Sequence, residues 1–171
     1  MVLQCEFAER GMEEGFQQDL LELWEKANQK GPLPDFRSFP FDHFSASLDH
    51  IMCCDVRYSS ATPDFVIQFH GEGFTRTYGR RCHGRWLKDV LPDTIRARTL
   101  NDYVKVALTK RPLFSSNLVN GADGVTVRYN RLLLPFTIWN NNTDRIVCAI
   151  QLKSDANTAI PYGLLSPAAE L

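Results

Sequence analysis

Three short stretches of the sequence carry residue types that could act as nucleophiles, proton carriers or metal ligands. Cys82 and His83 could form a thiolate activated by an imidazole, but adjacent side chains usually point apart. Cys53 and Cys54 lie in a predicted strand and must face opposite sides, which speaks against a vicinal redox or metal pair. His70 ends an alternating strand and is either a pocket residue or, the favoured interpretation, a polar residue facing solvent.

The rest of the sequence adds no support for catalysis. It contains no Ser-His-Asp order, no metal-ligand spacing and no phosphate-cradling glycine loop. The sequence therefore predicts no enzyme, no catalytic residue and no metal site.

One local cluster of basic residues could grip a phosphate or an acidic partner. The favoured alternative is a solvated face, because the formal net charge of the chain is only -1. For the same reason we expect no nucleic-acid partner. The cluster consists of Arg76, Arg80, Arg81, His83, Arg85 and Lys88.

Arg131 stands in an otherwise apolar predicted strand. Period-two alternation places Tyr129, Arg131 and Leu133 on one face. On an inward face the guanidinium would need a carboxylate partner, which could belong to a ligand. On an outward face Arg131 would be an edge or interface residue, and the two alternatives remain open.

The overall composition indicates one globular domain in a reducing compartment. The chain has 171 residues, 44% of them hydrophobic, which suits a single domain with a real core. No apolar run is long enough to cross a bilayer, and the first residues lack the features of a signal peptide. Five cysteines without recurring spacing do not form a disulfide framework. We expect a cytoplasmic protein without a membrane partner.

The first predicted element is an amphipathic helix over residues 13–30, which Gly31 and Pro32 end. Its apolar side is too large for an isolated exposed helix. It either folds back onto the sheet or pairs with a second protomer. The candidate dimer-interface residues are Phe16, Leu20, Leu23 and Trp24.

The remaining pattern predicts two strands, a helical segment and three strands. The first two strands span 50–58 and 64–70, and a longer helix covers about 94–109 with an apolar stripe from Leu100 to Leu108. Strands follow at 113–119, 125–134 and 145–152, the first two joined by a turn at 120–124. Hairpins make neighbouring strands antiparallel, so the fold class is α+β, with helices on one face of a five-stranded sheet. We divide the chain into a helix and linker (1–33), a sensor-like domain (34–155) and a tail (156–171).

This order of elements resembles the PAS domain, and the local sequence is similar to a bacterial subfamily of short stand-alone PAS proteins. The resemblance covers roughly residues 20–152. The stretches that carry it are Leu20–Trp24, Pro34–Phe36, Leu48–Val56, Phe65–Gly71, Tyr78–Arg85 and Tyr129–Pro135.

The resemblance implies a pocket-bearing sensory fold that acts through partners or dimers. It implies no fixed cofactor, since PAS domains bind haem, flavin, small metabolites or nothing. Flavin photosensors of this fold carry an Asn-Cys-Arg motif, for which Arg81-Cys82-His83 is the nearest and imperfect match. Haem sensors usually place a His on the long helix, and 94–109 contains none. Haem and flavin are therefore not expected, and the cofactor is none or an unknown small molecule.

We therefore expect a signalling module that binds a small ligand or a protein partner, forms a homodimer and acts through a separate signalling protein. The alternative is a structural protein–protein interaction domain whose pocket is closed, which the 11 Phe residues would suit. The candidate pocket residues are aromatic or polar side chains on elements that should face inward: Gln68, Tyr78, Trp86, Tyr103 and Arg131.

Overall fold

A computed structural model of the chain describes residues 12, 15–29, 31, 33–120, 126–139 and 141–153. No helix in these ranges is long and apolar enough to cross a membrane. The proposed tail at 156–171 and most of the turn at 120–124 lie outside the described residues. The elements are α1 (Phe16–Asn28), two 3-10 helices (Phe36–Ser38 and Phe41–His50), β1 (Ile51–Arg57), β2 (Asp64–His70), α2 (Glu72–Tyr78), α3 (Leu87–Val90), α4 (Asp93–Thr109), β3 (Leu113–Asn120), β4 (Thr126–Phe136) and β5 (Arg145–Lys153).

The described strands form one antiparallel sheet in the order β2-β1-β5-β4-β3. The helices α2 to α4 make the only connection between β2 and β3, so they form the crossover that the element order predicts. Pro135 fits into β4 because β3 pairs no further along β4 than Leu133, which leaves Pro135 beside β5 alone. The α+β fold class and the resemblance to the PAS arrangement are confirmed.

One face of the sheet packs against the crossover helices, and we call it the inner face. From the sheet it takes alternate residues such as Cys54, Phe65 and Leu133, all nearly inaccessible to solvent. From the helices it takes Tyr103 and Val106 of α4 and the short α3. Tyr129 and Leu133 both belong to this core, so the predicted alternation of β4 is correct.

The opposite face, the outer face, is covered by α1 and the 3-10 helices. Leu20 (0% exposed) and Trp24 (3%) pack on Leu132 and Leu134. The indole Nε1 of Trp24 donates a hydrogen bond to the carbonyl oxygen of Pro135 at 2.8 Å. The outer face of the sheet thus provides the apolar surface on which the amphipathic helix α1 packs.

This packing corrects the expectation that α1 presents its apolar face to a second protomer. Leu20 and Trp24 are buried in their own chain, so the helix takes the fold-back alternative. Phe16 and Leu23 are only half-buried at the margin of the same core. The helix is therefore part of the domain and not an appendage.

Aromatic packing orders the stretch between α1 and β1. Phe36, Phe39 and Phe41 surround Phe136 of β4, with ring centroids 5.0 to 5.8 Å apart. An isolated parallel bridge joins Asp35 to Thr137 beside them. The aromatic cluster completes the outer core.

A bulge at Gln68 interrupts the alternation of β2. Cys53 pairs with Phe69 and Cys54 with Ile67, so Gln68 is left over on β2. One extra residue turns the following side chains to the opposite faces. Phe69 therefore does not share a face with Phe65 and Ile67, as the alternating pattern predicts, and it is 41% exposed.

The chain leaves β2 through Gly71, which lies directly against the 3-10 helix before β1. A Cβ at Gly71 would come within 2.0 Å of the carbonyl oxygen of Leu48. Only glycine allows this close approach of two backbones. The contact fixes where α2 begins and thereby where its last residue, Tyr78, enters the inner core.

Candidate functional site

A cavity of about 50 Å³ lies between the inner face of the sheet and helices α2 and α4. That volume is room for about four water molecules. Its wall is mainly apolar, with Phe74, Leu87, Ile95 and Val127 among the lining residues. Asp49 is exposed and marks the rim of the cavity, and His50 beside it is half-buried.

Helix α4 supplies the polar wall of the cavity. Thr99, Asp102, Tyr103 and Val106 recur at the i, i+3, i+4, i+7 spacing that places side chains on one helix face. Thr99, Tyr103 and Val106 are buried, and the Asp102 side chain is 15% exposed. The predicted stripe from Leu100 to Leu108 is rotated relative to this face, and Leu108 is 61% exposed.

Arg131 projects from β4 into this polar wall and is 3% exposed. Its NH2 group forms an ion pair with Asp102, and its NH1 group donates to the hydroxyl of Thr99 at 3.1 Å. Its Nε–H has no hydrogen-bond partner among the described residues. The structure thus resolves the alternatives for Arg131 in favour of the inward face, with a carboxylate from its own chain.

Tyr103 is the second lining residue with an unused polar group. The side chain is 1% exposed, its ring packs on Phe65 at 5.2 Å, and its hydroxyl has no oxygen or nitrogen partner in the described chain. Burial, with a contribution from the thiol of Cys148, raises the pKa of Tyr103 well above its usual value. The hydroxyl is therefore a neutral donor at physiological pH.

The thiols near the cavity are inert. Cys148 of β5 lines the cavity, and burial raises its pKa to about 11. Cys54 is fully buried, and burial raises its pKa as well. A protonated buried thiol is a poor nucleophile, so these residues act as small apolar side chains.

Three of the five predicted pocket residues meet at this cavity, namely Tyr78, Tyr103 and Arg131. Gln68 does not line it, because the bulge places Gln68 at the edge strand β2. Trp86 does not line it either: it bridges to Val66 at the same edge and is 38% exposed. These two placements correct the predicted set.

The predicted set lacks Thr99 and Cys148, which line the cavity, and Asp102, which does not line it but pairs with Arg131. One signal could have indicated the pair of Asp102 and Arg131. Thr, Asp and Tyr recur at i, i+3 and i+4 on a helix that faces a strand with a single arginine. Apolar periodicity does not reveal this run, because Thr99 and Asp102 are polar.

His70 and Cys82 meet in a way that neither favoured interpretation anticipates. The Nε2 atom of His70 accepts a hydrogen bond from the backbone N–H of Cys82 at 2.8 Å, while Nδ1 lies 3.1 Å from the carbonyl oxygen of Gly71. Through these two contacts His70 ties the loop after α2 to the end of β2. Cys82 is 1% exposed, burial raises its pKa, and the neighbouring His83 is exposed. Cys82 and His83 do not form a catalytic pair.

The basic cluster extends from Arg76 in α2 through the following loop to Lys88 in α3. Lys88 forms an ion pair with Asp64 and lies over the ring of Trp86, and Arg80 donates to the carbonyl oxygen of Asp89. Arg76, Arg81 and Arg85 are exposed to solvent. The arrangement corresponds to a solvated face.

Comparison with known proteins gives likeness in structure alone. No family model matches the sequence, and no curated protein matches it. A light-oxygen-voltage (LOV) domain solved in a study of a flavin analogue is 13% identical, with 67% of this chain and 84% of that chain covered and a TM-score of 0.49. The LOV protein of Rhodobacter sphaeroides is 14% identical, with 68% of each chain covered and a TM-score of 0.47. The PAS domain of an HTR-like protein from Haloarcula marismortui is 16% identical, with 66% of this chain and 90% of that chain covered and a TM-score of 0.42.

The expectation that excludes flavin is wrong. Several of the structures that this chain resembles are LOV domains, and the study of one of them concerns a flavin analogue. The imperfect motif around Cys82 is therefore no ground for excluding this cofactor. In the cavity, the free donors of Tyr103 and Arg131 suit the carbonyl edge of such a ring system. Its volume of about 50 Å³ is far below the few hundred Å³ of a cofactor pocket, so the walls would have to move apart to admit a flavin.

Proposed function

We propose that this chain, which folds as a PAS-type α+β domain, is a sensory module rather than an enzyme. It binds a small ligand in the inner-face cavity and passes the bound state to another protein. The observation that carries the proposal is a pair of buried donors in the cavity wall, the hydroxyl of Tyr103 and the Nε–H of Arg131, which have no oxygen or nitrogen partner among the described residues. A buried donor without a partner costs about 1–3 kcal/mol, and a ligand acceptor would remove that cost.

A route from the cavity to the outer face supports the signalling part of the proposal. Cys148 lines the cavity, and the next residue, Ala149, accepts a hydrogen bond at its carbonyl oxygen from Gln17 of α1 at 2.7 Å. The same Gln17 nitrogen donates to the carbonyl oxygen of Asn130 on β4. A shift of β5 caused by a ligand would therefore reach α1 directly, and we propose that the exposed side of α1, which includes Glu22 and Glu25, contacts an output partner.

The experiment is to purify the protein without added ligand and to record its native mass and visible absorption spectrum. Thermal-shift screening of metabolites and of flavin mononucleotide follows. A ligand should raise the midpoint of unfolding by mass action. Tyr103→Phe should weaken the binding of that ligand about fivefold, since one hydrogen bond is lost. Tyr58→Phe is the matched control, because it removes a tyrosine hydroxyl outside the cavity that donates to the carbonyl oxygen of Thr143.

A second candidate is a structural interaction domain that binds no ligand. The small volume of the cavity favours it, because about 50 Å³ falls well short of an ordinary ligand pocket. If no compound raises the midpoint, and Tyr103→Phe is at least as stable as the parent protein, this second candidate replaces the first.

A further inference from the structure

The charge of the cavity wall restricts what can bind there. Arg131 lines the cavity, and its charge is already balanced by Asp102. Its NH2 group pairs with Asp102 and its NH1 group donates to Thr99, whereas its Nε–H has no partner among the described residues. An anionic ligand would place a second negative charge on one guanidinium in a desolvated site, which is unfavourable.

The second free donor points to the same kind of ligand. The hydroxyl of Tyr103 is neutral and can donate one hydrogen bond to an acceptor. Apart from these two donors the wall is largely apolar, with Phe74, Leu87 and Val127 among its members. A carbonyl or ether oxygen on a small hydrocarbon accepts a hydrogen bond from such a donor without adding charge.

We propose that the cavity selects small uncharged ligands carrying one hydrogen-bond acceptor, and that Asp102 determines this selection by neutralising Arg131. The inference rests on the proposed function, since it names the ligand class of the same cavity. Room for about four water molecules corresponds to about five non-hydrogen atoms in the conformation described. Asp102 is thus a specificity-determining residue that acts through Arg131.

The test compares butanone and propionate, two molecules of five non-hydrogen atoms that differ in charge. Thermal unfolding of the full chain is measured at matched ionic strength over a series of concentrations of each probe. Butanone should raise the midpoint by about 3 °C once its concentration reaches about five times its Kd, whereas propionate should not change it. A rise with propionate equal to or larger than the rise with butanone would overturn the inference while leaving the cavity a ligand site.

Asp102→Asn reverses the prediction. The amide keeps the shape of the side chain but removes its charge, so Arg131 becomes an unbalanced cation that a carboxylate can pair with. Propionate should then raise the midpoint of Asp102→Asn at concentrations that leave the midpoint of the parent protein unchanged. Asp93→Asn, which removes a carboxylate that is 85% exposed on the same helix, is the matched control and should leave both probes unchanged.

The possible outcomes distinguish a failure of the role proposed for Asp102 from a failure of the proposed function. If propionate binds the parent protein and Asp102→Asn equally, Asp102 does not determine the selection. If neither probe, nor any metabolite in the wider screen, stabilises either protein, the cavity takes no ligand and the proposed function fails with the inference. Should Asp102→Asn fail to fold, the comparison of the two probes on the parent protein still decides the charge preference.

Discussion

At the scale of single residues, Arg131 is a buried cation whose behaviour depends on two neighbours from another element. Asp102 balances its charge, and Thr99 holds one of its remaining nitrogens. Buried ion pairs are weak contributors to stability as pairs, but removing one partner leaves an uncompensated charge. The pair therefore holds Arg131 in place at the cavity wall more than it strengthens the fold.

Replacing Asp102 with alanine should destabilise the protein by about 3 kcal/mol, the lower end of the range for breaking a buried pair, because Asp102 retains some exposure. Urea unfolding monitored by tryptophan fluorescence measures the loss. Asp93→Ala, which breaks the exposed pair between Arg96 and Asp93, should cost less than about 1 kcal/mol. Similar losses for the two variants would show that Arg131 is well solvated.

Alternation along β4 was sufficient to predict the face of Arg131 relative to Tyr129 and Leu133. Its partner could not be predicted, because Asp102 lies 29 residues away on a helix whose rotation about its axis depends on that very contact. Apolar periodicity favours a helix face made of Leu100 and Leu108, whereas the observed face includes Thr99. A buried polar cluster shifts a helix away from the orientation that hydrophobicity alone predicts.

At the scale of elements, α1 shows the same effect on the outer face. The pattern favours Phe16 and Leu23 as part of its buried stripe, but the fully buried positions are Gln17, Leu20 and Trp24. Gln17 is drawn inward by two backbone carbonyl oxygens of the sheet, and the indole of Trp24 by a third. Such acceptors are invisible in the sequence of the helix itself, so its fold-back was only one of two alternatives.

Leu20→Ala and Leu23→Ala separate packing on the sheet from pairing with a second protomer. Leu20 is 0% exposed, so Leu20→Ala should lower the free energy of unfolding by about 3 kcal/mol. Leu23 is half-buried, and Leu23→Ala should cost about 1 kcal/mol or less. Chemical denaturation and light scattering measure stability and mass together. A loss of dimer with unchanged stability in Leu20→Ala would contradict the intramolecular packing.

At the scale of the whole molecule, β5 lies between two cores and belongs to both. Cys148 faces the inner core, while Val147 and Ala149 face the outer one. Cys53 on the neighbouring β1 belongs to the outer core as well. The centre of the sheet is thus lined by thiols on both faces, and this distribution makes the stability of the fold sensitive to alkaline pH.

Burial raises the pKa of Cys53 to about 12 and that of Cys148 to about 11, whereas in the unfolded chain these thiols ionise near pH 9. Because the folded state holds its protons to higher pH, their contribution to stability is complete below pH 9 and is lost as the pH rises toward 11 and 12. Each thiol should therefore reduce the free energy of unfolding by about 1 kcal/mol between pH 8 and pH 10.

Urea unfolding of the parent protein and of Cys148→Ala at both pH values tests this expectation. The variant is less stable at pH 8 because it leaves a small cavity, but its deficit should shrink by about 1 kcal/mol at pH 10. A deficit that stays constant between the two pH values would show that the Cys148 thiol ionises equally well in the folded state.

The contacts that hold α1 in the fold can form only late in the synthesis of the chain. Gln17 and Trp24 find their partners 111 to 132 residues further along the chain. At 5–20 residues per second, a ribosome needs roughly 6 to 26 s to reach them after the helix is made. During that interval Leu20, Leu21 and Trp24 have no sheet to pack on. The nascent helix is therefore the segment on which a chaperone has the longest time to act, and the last strand is the one that releases it.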